Sequence, residues 1–139
     1  MTQEQKDLLL KDFCARLPYG VKAYVKNWSK LDQKYYEGIY DVKSVFPSLN
    51  EVHVQSKTGS VDVMLGYDDY VIKPYLFPLS SMTEGQTEEL MKLINTGQND
   101  NNEFMRSLCR IEFYHKYNFD YRGLIPMGLA NDATGKNIY

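Results

Sequence analysis

Two cysteines, two histidines and one tryptophan in 139 residues leave little from which to assemble a catalytic or metal site. The cysteines, Cys14 and Cys109, stand far apart in the chain. Outside an oxidising compartment, such an isolated pair reads as two buried small hydrophobes rather than a disulfide or metal pair. No window approaches the roughly 18 apolar residues of a membrane-spanning helix. The opening MTQEQKDLLL holds Glu4 and Asp7 and only a short apolar run, where a secretory leader has a basic start and a longer apolar stretch. The chain is therefore expected to be soluble and cytoplasmic, with no membrane partner. Asn27-Trp28-Ser29 matches a glycosylation sequon, which is empty without a secretory route. Neither sign of charge dominates: 16 basic against 18 acidic residues give a net charge of −2. That balance excludes a histone-like or acidic-tail protein, whose partner could be read from its sign.

What the chain does have is aromatic surface. Aromatics make up 14 % of it, and 12 of them are tyrosines. So much surface to bury excludes a disordered chain. A domain of this length buries roughly two-thirds of its unfolded surface, enough for one core without staples.

Hydrophobic period and turn chemistry divide the chain into elements. Thr2 and Gln5 form a capping box for a first helix. Leu10, Phe13, Cys14 and Leu17 follow as one stripe at helical spacing, with Lys6, Asp7, Lys11 and Asp12 away from it. Pro18 and Gly20 end that helix. Residues 21 to 28 alternate as a strand, with Val21, Ala23 and Val25 inward and Lys22, Tyr24, Lys26 and Trp28 outward. Tyr35 to Lys43 and Glu51 to Gln55 form a second and third strand, broken by Pro47, Ser48 and Asn50. Thr58-Gly59 turns the chain into a fourth strand with Val61, Val63 and Leu65, and Asp68-Asp69 turns it into a fifth, Tyr70 to Leu76. Pro74 moves that fifth strand toward a sheet edge, because proline donates no ladder hydrogen bond. Thr83 and Gln86 repeat the capping box before a second helix with Leu90, Leu93 and Ile94, stopped at Thr96-Gly97 and followed by a polar loop from Gln98. A third helix spans about Glu103 to Tyr117, with Phe104, Leu108, Ile111 and His115 in line and Asn118 as a left-handed cap. The last twenty residues are irregular, yet Leu124, Ile125, Met127, Leu129 and Ile138 are too apolar for a loose tail and should pack over the core. The same tail offers a homodimer contact as an alternative. Strands in the middle and helices at the ends indicate an α+β fold: an N-terminal helix, a central antiparallel meander of about five strands, two C-terminal helices and a packed tail. No linker interrupts it, so residues 1–139 read as a single domain.

Three stretches are familiar as text: DLLLKDFCARLPYGV, KPYLFPLSSMTEGQ and FDYRGLIPMGLANDATGKNIY. On these the chain resembles a family of small uncharacterised proteins of gut Bacteroides, their phages and their mobile elements. They cover about 50 of the 139 residues. The resemblance implies no activity, cofactor or catalytic residue. It implies a common frame at the two ends and an individual part between Lys22 and Ile72. A phage or mobile-element setting implies an accessory acting on a host partner, by analogy alone.

The strongest surface signal is the first strand. Lys22, Tyr24, Lys26 and Trp28 share a face because the side-chain period is two, and Lys30, Lys34, Tyr35 and Tyr36 follow. From Arg16 to Tyr36 there are five basic residues and one acid, Asp32. Tyrosine and tryptophan give rigid contact area with a polar tip, which suits protein recognition. Cations interleaved with aromatics also suit single-stranded nucleic acid, so weak binding through residues 22 to 36 is the alternative. The plain reading is a solvated strand whose tyrosines pair across strands and whose lysines discourage edge aggregation.

Catalytic patterns are poor. Glu112 and His115 have carboxylate–imidazole spacing, but a di-iron site needs a second such motif. His115 reads as a satisfied, partly buried histidine, and His53, between Val52 and Val54, as an exposed one. Cys109 and His115 sit about 240° apart around a helix and cannot pair as nucleophile and base. The stretch Gly128 to Lys136 has too many residues between its glycines for a phosphate loop, and Asn137 stands where a hydroxyl should hold magnesium. Asp120 reads as a turn acceptor with Arg122 as its partner. The expectation is a non-enzymatic binding module, without cofactor or metal, that contacts an unidentified protein through its tyrosine-rich sheet face.

Overall fold

The computed structural model describes residues 1–96 and 102–139. Of the expected helix stop at Thr96-Gly97 and the expected polar loop Gln98 to Asn102, residues 97 to 101 lie outside those described. Helix α1 (Gln3–Arg16) begins where expected: Thr2 Oγ1 accepts the Gln5 N–H at 3.1 Å, and Gln5 Oε1 accepts the Thr2 N–H at 2.9 Å. A 3₁₀ turn containing Pro18 closes it, and Gly20, at φ +85°, redirects the chain as only glycine does freely. Strands β1 (Lys22–Ser29), β2 (Lys34–Phe46), β3 (Glu51–Ser56), β4 (Gly59–Met64) and β5 (Tyr70–Pro78) follow. Helices α2 (Glu84–Ile94) and α3 (Glu103–Lys116) come next, then the two-residue strands β6 (Phe119–Asp120) and β7 (Asn131–Asp132).

β1 to β4 form an antiparallel meander, but β5 does not continue it. The strand order is β4-β3-β2-β1-β5-β6, with β7 also on β5. β5 therefore lies inside the sheet, not near its edge, and β6 and β7 pair with it in parallel. Pro74 is tolerated because it sits opposite Ala23, where the β1 ladder ends and β5 passes on to β7 and β6. The thirteen-residue β2 serves two partners. Its first half, Lys34 to Asp41, pairs with β1, and its second, Asp41 to Phe46, pairs with β3, with a register shift between Val42 and Ser44. Such a shift bends a strand and increases its twist. Only residues 65 to 69 link β4, at one end of the strand order, to β5, four places along it, so the sheet coils back toward itself.

The inside of the coil is the main core. Ala23 and Val25 of β1, Val52 and Val54 of β3, Val63 of β4, and Ile72 and Leu76 of β5 meet Leu9, Leu10 and Phe13 of α1. Each of the valines, leucines and isoleucine among them contributes about 1.5–3 kcal/mol through burial. Leu124, Leu129 and Ala130 of the tail join the same cluster, so the tail packs on its own core. A second, aromatic cluster joins Leu90 and Ile94 of α2, Phe113 of α3 and Phe119 of β6, flanked by Phe77, Met82, Tyr114 and Tyr117.

Several expectations fail for identifiable reasons. Asp12, placed on the solvent side, and Arg16, counted with the basic surface, are both fully buried, because this side of α1 meets α3 and the tail. Cys14 is exposed and Cys109 half-buried, so neither is a buried small hydrophobe. Phe104, Leu108 and Ile111 face solvent, Phe104 at 73 % exposure. The residues that α3 buries are Phe113 and His115, and Phe113 lies nine positions on and about 180° around the helix from Phe104. The β3–β4 turn falls on Lys57-Thr58, one residue earlier than expected.

Candidate functional site

Alternation along β1 holds. Val21, Ala23 and Val25 are buried, while Lys22, Tyr24, Lys26 and Trp28 line the outer face, each partly exposed. Register brings neighbours onto that face. Lys22 lies opposite Asp41, Tyr24 opposite Ile39, Lys26 opposite Glu37, and Trp28 opposite Tyr35. From β5, Lys73 stands beside Tyr24 and Val71 beside Lys26. The result is a three-strand patch with aromatic and aliphatic groups at its centre: Trp28, Tyr35 (53 % exposed), Ile39 (47 %) and Val71. At the hairpin tip Leu31 is 93 % exposed, beside the exposed Lys30.

The polar groups of this patch are largely satisfied by one another. Lys22 Nζ bonds Asp41 Oδ1 at 2.9 Å. Tyr24 donates its hydroxyl to Glu37 Oε2 at 2.6 Å, and the carboxylate holds that phenol up to about 12. Lys26 Nζ lies 4.5 Å from the Tyr35 ring centre, and Trp28 meets Tyr35 edge-on at 4.8 Å. A partner would therefore meet a pre-formed surface whose long side chains are already ordered, which lowers the entropy cost of binding.

Not every expected residue belongs to this face. Tyr35 and Tyr36 are adjacent in sequence and so point to opposite sides of β2. Tyr36 turns to the inner side at the mouth of the coil. Its hydroxyl donates to Asp32 Oδ2, and Lys34 lies 4.7 Å from its ring centre. Ile39, Val71 and Lys73 were missed. Alternation through Glu37 and Asp41 would have found Ile39. The β5 residues were out of reach, because nothing local says that β5 lies beside β1.

The other candidates resolve as structural. His53 is half-buried and bonds Asp62 across β3 and β4, so it is neither exposed nor unpartnered. Glu112 and His115 do not converge: Glu112 is exposed, whereas His115 is buried with Nε2 2.7 Å from the Tyr121 hydroxyl. Burial lowers the His115 pKa most and Arg16 lowers it further, while Asp12 opposes them and Arg122 adds a smaller lowering. Asp120 accepts the Leu124 and Ile125 N–H groups at 2.9 and 2.8 Å, a turn acceptor as expected. Arg122 is not its partner. It bonds Asp12 Oδ1 at 3.1 Å, while Arg16 Nε bonds Asp12 Oδ2 at 2.8 Å. Arg16 also donates to the carbonyls of Phe119 and Tyr114. This buried network is closed on protein groups and ties α1 to α3 and the tail. Among the described residues no helix is long and apolar enough to cross a membrane. Compared with family models, with curated proteins and with solved structures, the chain matches none.

Proposed function

We propose that the protein acts by binding another protein through the outer face of β1, β2 and β5, with Trp28 and Tyr35 as anchors and Tyr24, Lys26, Ile39 and Val71 around them. The observation that carries this reading is the patch itself: exposed rings and aliphatics in register on three strands, rimmed by charges of both signs. Aromatic anchors surrounded by polar groups are the usual anatomy of a recognition surface. By the family resemblance, the partner would be a host protein and the role that of a phage or mobile-element accessory. Alanine at both Tyr24 and Trp28 is expected to abolish partner capture while circular dichroism stays unchanged. Undiminished capture refutes the reading.

Charge distribution favours this over single-stranded nucleic acid. Of the four lysines invoked, Lys22 is paired with Asp41, Lys26 lies across from Glu37, and Lys34 turns to the other side of the sheet with Tyr36. A fluorescence anisotropy titration separates the two. Phosphate contacts predict affinity that falls steeply with salt, whereas the protein-binding reading predicts no appreciable signal even at low ionic strength.

A further inference from the structure

The outward side of α3 carries a stripe that its own chain leaves open. Phe104, Leu108 and Ile111 are all exposed there, Phe104 the most. At about 100° per residue the three lie within about 60° of one another, so they form one continuous apolar ridge. On the opposite side of the helix, Phe113 packs with Leu90 and Ile94 of α2.

One flank of the ridge is charged in a particular order. Glu103 and Arg110 lie within about 20° of each other around the helix and about 10.5 Å apart along it. Both stand about 100–120° to the same side of Phe104. Neither charge is well satisfied. Arg106 reaches the Glu103 carboxylate only at 3.6 Å, with Glu103 84 % exposed, and Arg110 forms no ion pair among the described residues.

This order is self-complementary. In a two-fold antiparallel helix pair, each flank meets the same flank of the other copy, read in reverse. The register that sets Glu103 across from Arg110 of a second copy therefore also sets Arg110 across from its Glu103. In the same register Phe104 stands level with the interval between Leu108 and Ile111 of the second copy, a gap into which a ring can pack. The register asked for by charge and the register asked for by shape agree to within one residue, about 1.5 Å. A foreign partner requires no such agreement between the two ends of one helix; a second copy does.

The geometry points to α3 as a self-association surface, on which a second copy of this chain packs antiparallel, with Phe104 between its Leu108 and Ile111 and with Glu103 and Arg110 paired reciprocally. The ridge offers roughly 300 Å² of apolar area per copy, against about 800 Å² per partner in a standard stable complex, so the dimer is weak and concentration-dependent. The surface is distinct from the β1–β2–β5 face, and neither proposal rests on the other.

Sedimentation equilibrium of the full chain tests this, from micromolar concentration to about 1 mM at low salt. The expected result is a mass that rises reversibly from that of one chain toward that of two. Glu103→Arg and Arg110→Glu each bring like charges together at both ends, and each should weaken self-association about ten-fold. Mixed one to one, the two variants again oppose unlike charges at both ends, and they should pair about as tightly as the native chain. Phe104→Ala should abolish association. All three substitutions lie outside the core, and unchanged unfolding midpoints check that the fold is kept. A single-chain mass at every concentration, association indifferent to the two reversals, or a mixture no tighter than either variant alone would each overturn the assignment. So would a dimer lost on Trp28→Ala and kept on Phe104→Ala, which would place self-association on the sheet.

Discussion

Removing the Asp12 carboxylate should be as damaging as emptying a core position. Asp12 and Arg16 are both fully buried, and Asp12 is the shared acceptor for Arg16 Nε at 2.8 Å and Arg122 Nε at 3.1 Å. Asp12→Ala deletes two charge-assisted bonds, each contributing about 1.5–3 kcal/mol net, and leaves the Arg16 guanidinium buried with only the Phe119 and Tyr114 carbonyls. Breaking a buried pair in this way costs about 3–5 kcal/mol, out of a typical total of about 5–15 kcal/mol. Arg122 is less committed: its side chain is 18 % exposed and can turn to water, so Arg122→Ala should cost about 1–2 kcal/mol. Replacing Asp12 and Arg16 together by leucine should recover most of the loss, because apolar packing needs no compensation of charge. Urea unfolding with a common slope measures all three. A loss below about 1 kcal/mol for Asp12→Ala, or equal losses for Asp12→Ala and Arg122→Ala, would refute the view that this network locks α1 to the tail.

Three further predictions rest on named groups. His115 has a lowered folded pKa and an ordinary unfolded one near 6.5, so its neutral form contributes stability above about pH 6.5 that is lost as pH falls below it. Arg16, Arg122, Tyr121 and the opposing Asp12 carboxylate surround it, and the urea midpoint of the native protein should drop between pH 7 and 5.5 by more than that of His115→Gln. Tyr139 donates its hydroxyl to the Tyr75 carbonyl at 2.7 Å and accepts the Lys22 N–H at 3.0 Å, and burial pushes its phenol up to about 12. Tyr139→Phe should therefore cost about 1–2 kcal/mol and remove one late-ionising tyrosine from an ultraviolet pH titration. Cys14 is exposed, so Ellman's reagent should modify it in the native protein, and Cys14→Ser should lose that reaction without loss of stability.

Local chemistry and alternation made much of this fold legible. Both capping boxes, at Thr2 and Thr83, form as their spacing predicts, and the β1 row from Val21 to Trp28 faces as its period requires. What the sequence hides is pairing at a distance. Placing β5 beside β1 depends on the coil of the whole sheet, and that placement brings Val71 and Lys73 to the patch. Asp12 reads as a surface residue because its partner Arg122 is 110 positions away, although the i,i+4 spacing to Arg16 was a visible hint. Phe104, Leu108 and Ile111 keep helical spacing, yet the buried side of α3 is set by Phe113 and its aromatic neighbours.

Two exposed apolar surfaces are open to the proposed partner: the β1–β2–β5 face and the solvent side of α3. A capture experiment with matched variants decides between them. Trp28→Ala with Tyr35→Ala disarms the sheet, and Phe104→Ala with Leu108→Ala disarms the helix, both checked for native unfolding midpoints. Loss of the partner from the sheet variant and retention by the helix variant is the expected result; retention by the sheet variant contradicts the account.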